Sequence, residues 1–250
     1  MVADNPGPYT GPGTNTWILG GDPVAVVIDP GPESDAHLAA IEARLAGAPV
    51  GLVLVTHSHP DHLPLAARFA DRHGARVLRH PELADGDLLQ VGKLSLRALY
   101  TPGHASDHLC FVQDADRAIF TGDLVLGQGS TMITHPDGDM AAYLRSVERV
   151  LELNPAILFP GHFDPVPDPL PKLRHYLAHR REREAQILEA LRGRAGRPAA
   201  AAELTQVVYG AEVTDPALLR AAEMTLSAHL KKLVDEGRVA QGGSGYSYLS

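Results

Sequence analysis

Cysteine is nearly missing from this chain: Cys110 is the only one among 250 residues, which excludes a disulfide framework within it. Aromatic side chains are scarce as well, at 5%, so the core has to be built mainly from aliphatic residues. No run approaches the roughly 18 apolar residues that a membrane span requires, and no membrane partner is expected. The opening MVADNPGPYTG has neither the basic nor the apolar stretch of a signal peptide, so the expected compartment is a reducing cytoplasm. Positive charge is also short. The net charge is −8, and its placement is uneven: residues 1–171 carry −11 and residues 172–250 carry +3. An acidic body repels polyanions unless bound cations or a local basic patch reverse the field at the site.

Glycine and proline are plentiful, at 24 and 20 residues. They help to cut the first two-thirds of the chain into the short apolar runs NTWIL, AVVI, GLVLV, LSLRALY, LCFV, AIF and AILF, which read as buried or half-buried strands. Cys110 within LCFV and Trp17 within NTWIL are expected in the core. His37 to Leu45, Leu63 to His73 and Met140 to Leu153 show helical spacing, so the body is a layered α/β arrangement. Beyond the proline-dotted stretch Pro165 to Pro171 the composition shifts to helix formers. Lys172 to Leu191, Ala200 to Val208 and Ala217 to Glu236 read as helices. RVAQGGSGYSYL then reads as a hairpin, with Gly242 and Gly243 expected to supply the positive φ of its turn. The predicted organisation is a catalytic domain over residues 1–171 and a small winged-helix-like domain over residues 172–250.

Chemistry concentrates in THSHPDH, Thr56 to His62. His57 and His59 are two apart, so in an extended segment both leave the same face about 7 Å apart, within reach of one ion. Asp61 and His62 follow Pro60, where the chain can turn and aim a second pair elsewhere. Other apolar runs end in the same way: LRALYTPG leads to His104, AIFTG to Asp123 and AILFPG to His162. Loops at one edge of a sheet can bring such residues to one point. A pair of divalent ions held there would lower the pKa of a shared water toward neutrality and polarise the bond to be cleaved. Most of the other histidines need no functional role, and His37, His73, His175, His179 and His229 are expected on solvated helix faces.

These motifs, HxHxDH at His57 to His62 with TPGH, TGD and PGH in order, resemble the metallo-β-lactamase-fold hydrolases. Asp29 in VVIDPGP fits the family's first motif. The resemblance implies an αββα sandwich with His57, His59 and His104 on a first zinc. Asp61, His62 and His162 would hold a second, and Asp123 would bridge the pair. Asp61 would also orient the nucleophile, a metal-bridging hydroxide, and Asp29 would hydrogen-bond the metal loop. Manganese or iron would suit the same ligand chemistry.

NPGPYTGPGTNTW, GDLVLGQGSTMI and the tail HRREREAQIL…HLKKLVDEGRV resemble more narrowly the beta-lactamase-like protein 2 group, whose members carry a C-terminal winged helix. That resemblance implies cleavage of single-stranded RNA. The alternative is thioester hydrolysis, of the glyoxalase II or polyketide-release type. A non-enzymatic nucleic-acid-binding regulator is the third reading. Asp107, His108 and Phe163 are candidate substrate contacts. Phe163 stands where the family usually has glycine, and a bulky ring there would narrow the site. Lys231 and Lys232, with Arg238, are candidates for touching phosphates. The tail is expected either to do that or to pack, as one wall of the cleft or as a homodimer contact.

Overall fold

The structure is a computed structural model and describes residues 1–20 and 23–249. Its body is two β-sheets face to face, each backed by helices. The first sheet has the order β1 (Trp17–Gly20), β2 (Ala25–Ile28), β3 (Val50–Leu54), β4 (Arg76–Leu78); β2, β3 and β4 run parallel and β1 antiparallel. The second has the order β5 (Leu88–Val91), β6 (Leu94–Tyr100), β7 (Leu109–Gln113), β8 (Ala118–Gly122), β9 (Ile157–Pro160), antiparallel except for the parallel pair β8 and β9. Strands β4 and β5 were not legible in the sequence. Both mix exposed and half-buried positions, and neither shows the clean apolar run of a central strand.

The two-residue period of the strands sorts side chains into layers. In β2, Val26 and Ile28 face the other sheet and meet Phe111 and Phe120. Ala25 and Val27 face outward onto Leu38 and Ile41 of α1 (Asp35–Leu45) and Phe69 of α2 (Leu65–His73). In β7 the same alternation sends Leu109 and Phe111 between the sheets. Cys110 and Val112 go outward, against Tyr143 and Val147 of α3 (Met140–Glu152). Each fully buried Leu, Ile or Phe in these layers contributes about 1.5–3 kcal/mol. The result is the expected αββα sandwich.

Helix α4 (Pro169–Arg192) opens on a proline and runs 24 residues, crossing the expected boundary between residues 171 and 172. Its Leu173, Tyr176 and Leu177 pack in the outer layer of the sandwich, whereas Ile187, Leu188 and Leu191 belong to the tail's own core. That tail core joins α4 to α5 (Ala201–Tyr209), α6 (Pro216–Asp235) and the hairpin β10 (Val239–Gly242) and β11 (Gly245–Tyr248). The left-handed glycine of this hairpin is Gly245, with φ +123°, and neither Gly242 nor Gly243 takes that role. A side chain at Gly245 would collide with the backbone of Ala199, which pairs with Tyr246.

Two histidines expected in solvent are buried. His37 contacts Thr16 Oγ1 through Nε2 at 2.8 Å, and His229 meets the Glu184 carboxylate through Nδ1 at 3.2 Å. Both lie on inward faces of helices whose neighbouring positions mix charged and apolar residues, so spacing alone did not separate the faces.

Candidate metal centre

The C-terminal ends of β3, β8 and β9 lie at one edge of the sandwich, and the loops that follow them, with the loop after β6, carry the site. Thr56 fixes the first loop. Its backbone N–H and its hydroxyl each donate to Asp29, both at 2.7 Å. Asp29 also accepts a hydrogen bond from His62 Nδ1 at 2.9 Å. Asp29 itself sits at φ +49°, just past the end of β2. Its place under the loop is the one expected for it, away from the cluster's centre.

Four of the five histidines of the cluster are held by one ring nitrogen and present the other. His62 is held by Asp29, His104 Nδ1 donates to the Met132 carbonyl at 2.7 Å, and His162 Nδ1 to the Gly13 carbonyl at 3.1 Å. His57 Nδ1 lies 3.0 Å from Thr56 Oγ1. Since that hydroxyl donates to Asp29, the imidazole must donate to it. All four rings thus aim Nε2 at the centre. His59 is reversed: its Nδ1 faces the cluster, and its Nε2 lies 3.7 Å from Asp137 Oδ2.

The free nitrogens gather into two groups. His57 Nε2 and His104 Nε2 each lie 3.0 Å from His59 Nδ1. Three ligands at zinc bond lengths in a tetrahedral arrangement stand about 3.3 Å apart. Asp61 Oδ2 lies 3.3 Å from both His62 Nε2 and His162 Nε2, forming the second group. The Asp123 carboxylate stands between them, 3.6 Å from His104 and from His62 and 3.3 Å from His162. His62 Nε2 and Asp123 Oδ1 are buried without any hydrogen-bond partner. Leaving such atoms unmet costs about 1–3 kcal/mol each, and a cation between them would satisfy both. The donor set therefore fits two metal ions, with Asp123 placed to touch each.

The glycines of the motifs exist for closeness. At Gly122, φ is +45°, and an added Cβ would come within 2.7 Å of Thr56 Oγ1 and 2.8 Å of His108 Nε2. Gly161 leaves room for His62, whose Cε1 would be 2.8 Å from a Cβ there.

Comparison with known proteins agrees with this geometry. The sequence profile described as the Metallo-beta-lactamase superfamily matches residues 9–86 and 83–162. The chain belongs to that superfamily. It is a hydrolase of this metal-dependent class, and the His/Asp cluster is its metal-binding site. A second profile, the Beta-lactamase associated winged helix domain, matches residues 200–247.

Among relatives of this superfamily member, the "Atrochrysone carboxyl ACP thioesterase" of Aspergillus chevalieri is 34% identical, over 97% of this chain and 83% of its own length. The "Beta-lactamase-like protein 2 homolog" of Drosophila melanogaster is 30% identical, over 96% and 88%. The crystal structure of a metallo-beta-lactamase family protein from Thermus thermophilus superposes with a TM-score of 0.78 at 26% identity, covering 94% of this chain and 93% of that one.

Several expected substrate contacts lie elsewhere. His108 is fully buried; its Nδ1 lies 3.0 Å from Thr101 Oγ1, and its Nε2 accepts the Asp123 backbone N–H at 3.2 Å. It positions Asp123. Asp107 does not line the cavity over the cluster. Lys231 pairs with Asp235, and Lys232 is held between Glu184 and Glu236. The tail instead offers Leu218 and Ala221, near the start of α6, to the cavity wall. Phe163 does line the cavity, at φ +66°, a left-handed backbone that favours the glycine the family usually has there. Its ring lies against Gly11, which has no side chain to obstruct it.

The sequence reading missed the N-terminal strap. Thr14 donates to Asp61 Oδ2 at 2.8 Å, and Asn15 ties residues 160 and 163 through their carbonyls. The density of Gly, Pro, Asn and Thr before Trp17 was its one available signal.

Protonation divides the two groups. Burial, aided by the neighbouring imidazoles, pushes His57 well below its ordinary value, and burial also lowers His104 against the pull of Asp123. Burial opposes charge at His162 too, but the Asp123 and Asp61 carboxylates outweigh it and hold the ring up at about 10. His62 is likewise raised, by Asp123 and Asp29 against burial. Burial would raise Asp61 and Asp123, yet the facing imidazoles bring both below the usual carboxylate range.

At pH 7 His57 and His104 of the first group therefore offer bare nitrogens, while His62 and His162 carry protons that a cation must displace. Metal titration of the metal-free protein in indicator dye is expected to release about two protons, with the ion that occupies the second group. Affinity for that ion should rise with pH toward the folded-state values, because deprotonated rings no longer compete. Uptake of both ions with no proton release and no pH dependence would refute this division.

Proposed function

We propose that this hydrolase cleaves acyl-thioesters at a dinuclear zinc centre. The observation that carries the reading is the cavity over the cluster, about 470 Å³, walled by Tyr9, Leu126, Met132, Phe163, Leu218 and Ala221 and containing no Lys or Arg among its lining residues. An acyl chain gains from such walls, whereas a phosphodiester polymer needs cations along its path. Lys232, enclosed between Glu184 and Glu236, is not free to hold a phosphate. The thioesterase name of the Aspergillus chevalieri relative supports the same choice, which fold membership alone would not make.

Bound metal would supply hydroxide near neutral pH and polarise the scissile carbonyl. The chain's own residues do the rest. Asp61, kept ionised by His62, His162 and Thr14, accepts a hydrogen bond from the attacking water and so orients it. His108 and Gly122 fix the position of Asp123. The apolar wall seats the acyl chain and excludes water. A thiol leaving group, with an ordinary pKa of about 8.5, departs without a general acid, which suits a cavity whose three lining histidines all belong to the metal groups. Imidazole and carboxylate ligands suit zinc, with manganese and iron as the other metals to be distinguished by elemental analysis.

The test is a parallel assay of the zinc-loaded chain on acyl-thioesters and on single-stranded RNA. Thioester turnover of roughly 1 s⁻¹ or faster, with RNA left intact, is the expected result. RNA cleavage with thioesters untouched would overturn the reading.

A further inference from the structure

A second cavity, about 290 Å³, lies where the sandwich meets the tail. It shares Ser130, Thr131, Met132, Leu218 and Ala221 with the cavity over the metal cluster, so the two are neighbours across one wall. Its other walls are unlike those of the first. Arg180, Arg183, His179 and Tyr209 line it, with Glu212 at its rim.

Arg180 is 2% exposed, yet no described carboxylate pairs with it. It donates to the Thr131 carbonyl and lies over the Tyr143 ring, and its Nε is buried without a partner. A buried guanidinium without a counter-charge is costly, and an anion in the cavity would supply the missing one. The Tyr209 hydroxyl is a second buried polar atom with no partner. Arg183 stacks on the Tyr209 ring and bonds Glu212, whose side chain is largely in solvent. Burial and the two guanidinium groups push His179 down to about 4, so it is neutral near pH 7 and adds no charge. Two cations thus face one carboxylate, a local excess of positive charge in a chain whose net charge is −8.

The separating wall is tied from both sides. His104 of the metal cluster holds the Met132 carbonyl, and Arg180 holds that of Thr131, one residue away. A molecule lying across this wall would have its reacting carbonyl at the metals and an acidic group at Arg180.

We propose that the Arg180–Arg183–Tyr209 cavity is an anion-binding site that takes the acidic end of the substrate. Given the thioester reading, on which this part rests, that end is either a carboxylate on the acyl chain or a phosphate on the thiol carrier. Arg180 holds the wall itself, so its replacement endangers the fold; Arg183→Gln and Tyr209→Phe carry the test.

Calorimetric titration of the metal-loaded full chain with inorganic phosphate is expected to show binding that Arg183→Gln weakens at least tenfold. Tyr209→Phe should weaken it severalfold while raising Tm by about 2–4 °C, because an unmet buried hydroxyl is gone. A purely structural tyrosine would not separate these two effects. Equal phosphate affinity in all three proteins would place the anion on the metals and overturn the site.

Hydrolysis of three synthetic thioesters then identifies the source. These are a neutral acyl chain on N-acetylcysteamine, the same chain with a terminal carboxylate, and the neutral chain on phosphopantetheine. One charged substrate should exceed the neutral one at least tenfold in kcat/KM, and Arg183→Gln should bring that ratio to about one, mainly through KM. Equal rates for all three would overturn the link to substrate. If no thioester is hydrolysed, the functional reading fails, and the phosphate titration alone decides the cavity.

Discussion

Asp61→Ala should lower thioester kcat/KM roughly 10³-fold, about 4 kcal/mol of lost transition-state stabilisation, while the protein remains folded. Asp61 is the one carboxylate of the second ligand group, 3.3 Å from both His62 and His162. It also accepts the Thr14 hydroxyl. Its side chain is about one-quarter exposed, so removing it leaves no sealed void. Elemental analysis should then find one ion retained where the wild type holds two, with Tm lowered by the stabilisation that the lost ion supplied. Wild-type turnover in this variant would mean that the second ion has no part in hydrolysis.

Asp29→Ala should act in the opposite way, through stability first. Asp29 accepts three hydrogen bonds, from the Thr56 N–H, the Thr56 hydroxyl and His62 Nδ1, and it is buried. Removing it strands all three donors, one of them an imidazole that carries a proton in the metal-free state. A buried pair broken on one side typically costs about 3–5 kcal/mol. Denaturant unfolding of the metal-free protein should show a loss of that size, and metal affinity should fall about 10–100-fold because His62 is no longer held in register. A stability change below about 1 kcal/mol would show that Asp29 does not anchor the loop.

The two variants mark what could and could not be read from the chain. The ligand motifs were legible because they open directly after apolar runs: LVLVT before His57, AIFTG before Asp123, AILFPG before His162. The sandwich was legible for the same reason, since strands buried on both faces declare themselves as short apolar blocks between breakers.

Thr14 and Asn15 were not legible. Their contacts run through hydroxyl and amide groups to Asp61, Pro160 and Phe163, and such bonds leave no periodic trace. His37 and His229 were misplaced because a histidine on a mixed helix gives no sign of which way it faces. Lys231 and Lys232 looked like a basic patch only while Glu184, far away in the chain, and Glu236, ordinary in its setting, were not known to meet Lys232. Arg180 stood within HRRERE, a charge run that normally reads as solvated surface, and only the tertiary fold buries it.

Helix α4 has a consequence for how molecules enter. It is about 36 Å long at the usual rise per residue, and one unbroken stripe of its side chains is cemented into both cores. Domains joined by a pliable linker can swing apart, but a gate hinged here would have to break backbone hydrogen bonds in mid-helix. The tail is therefore a fixed jamb. A chain severed after residue 171 would lose Leu218 and Ala221 from the cavity wall along with the cladding of its second sheet.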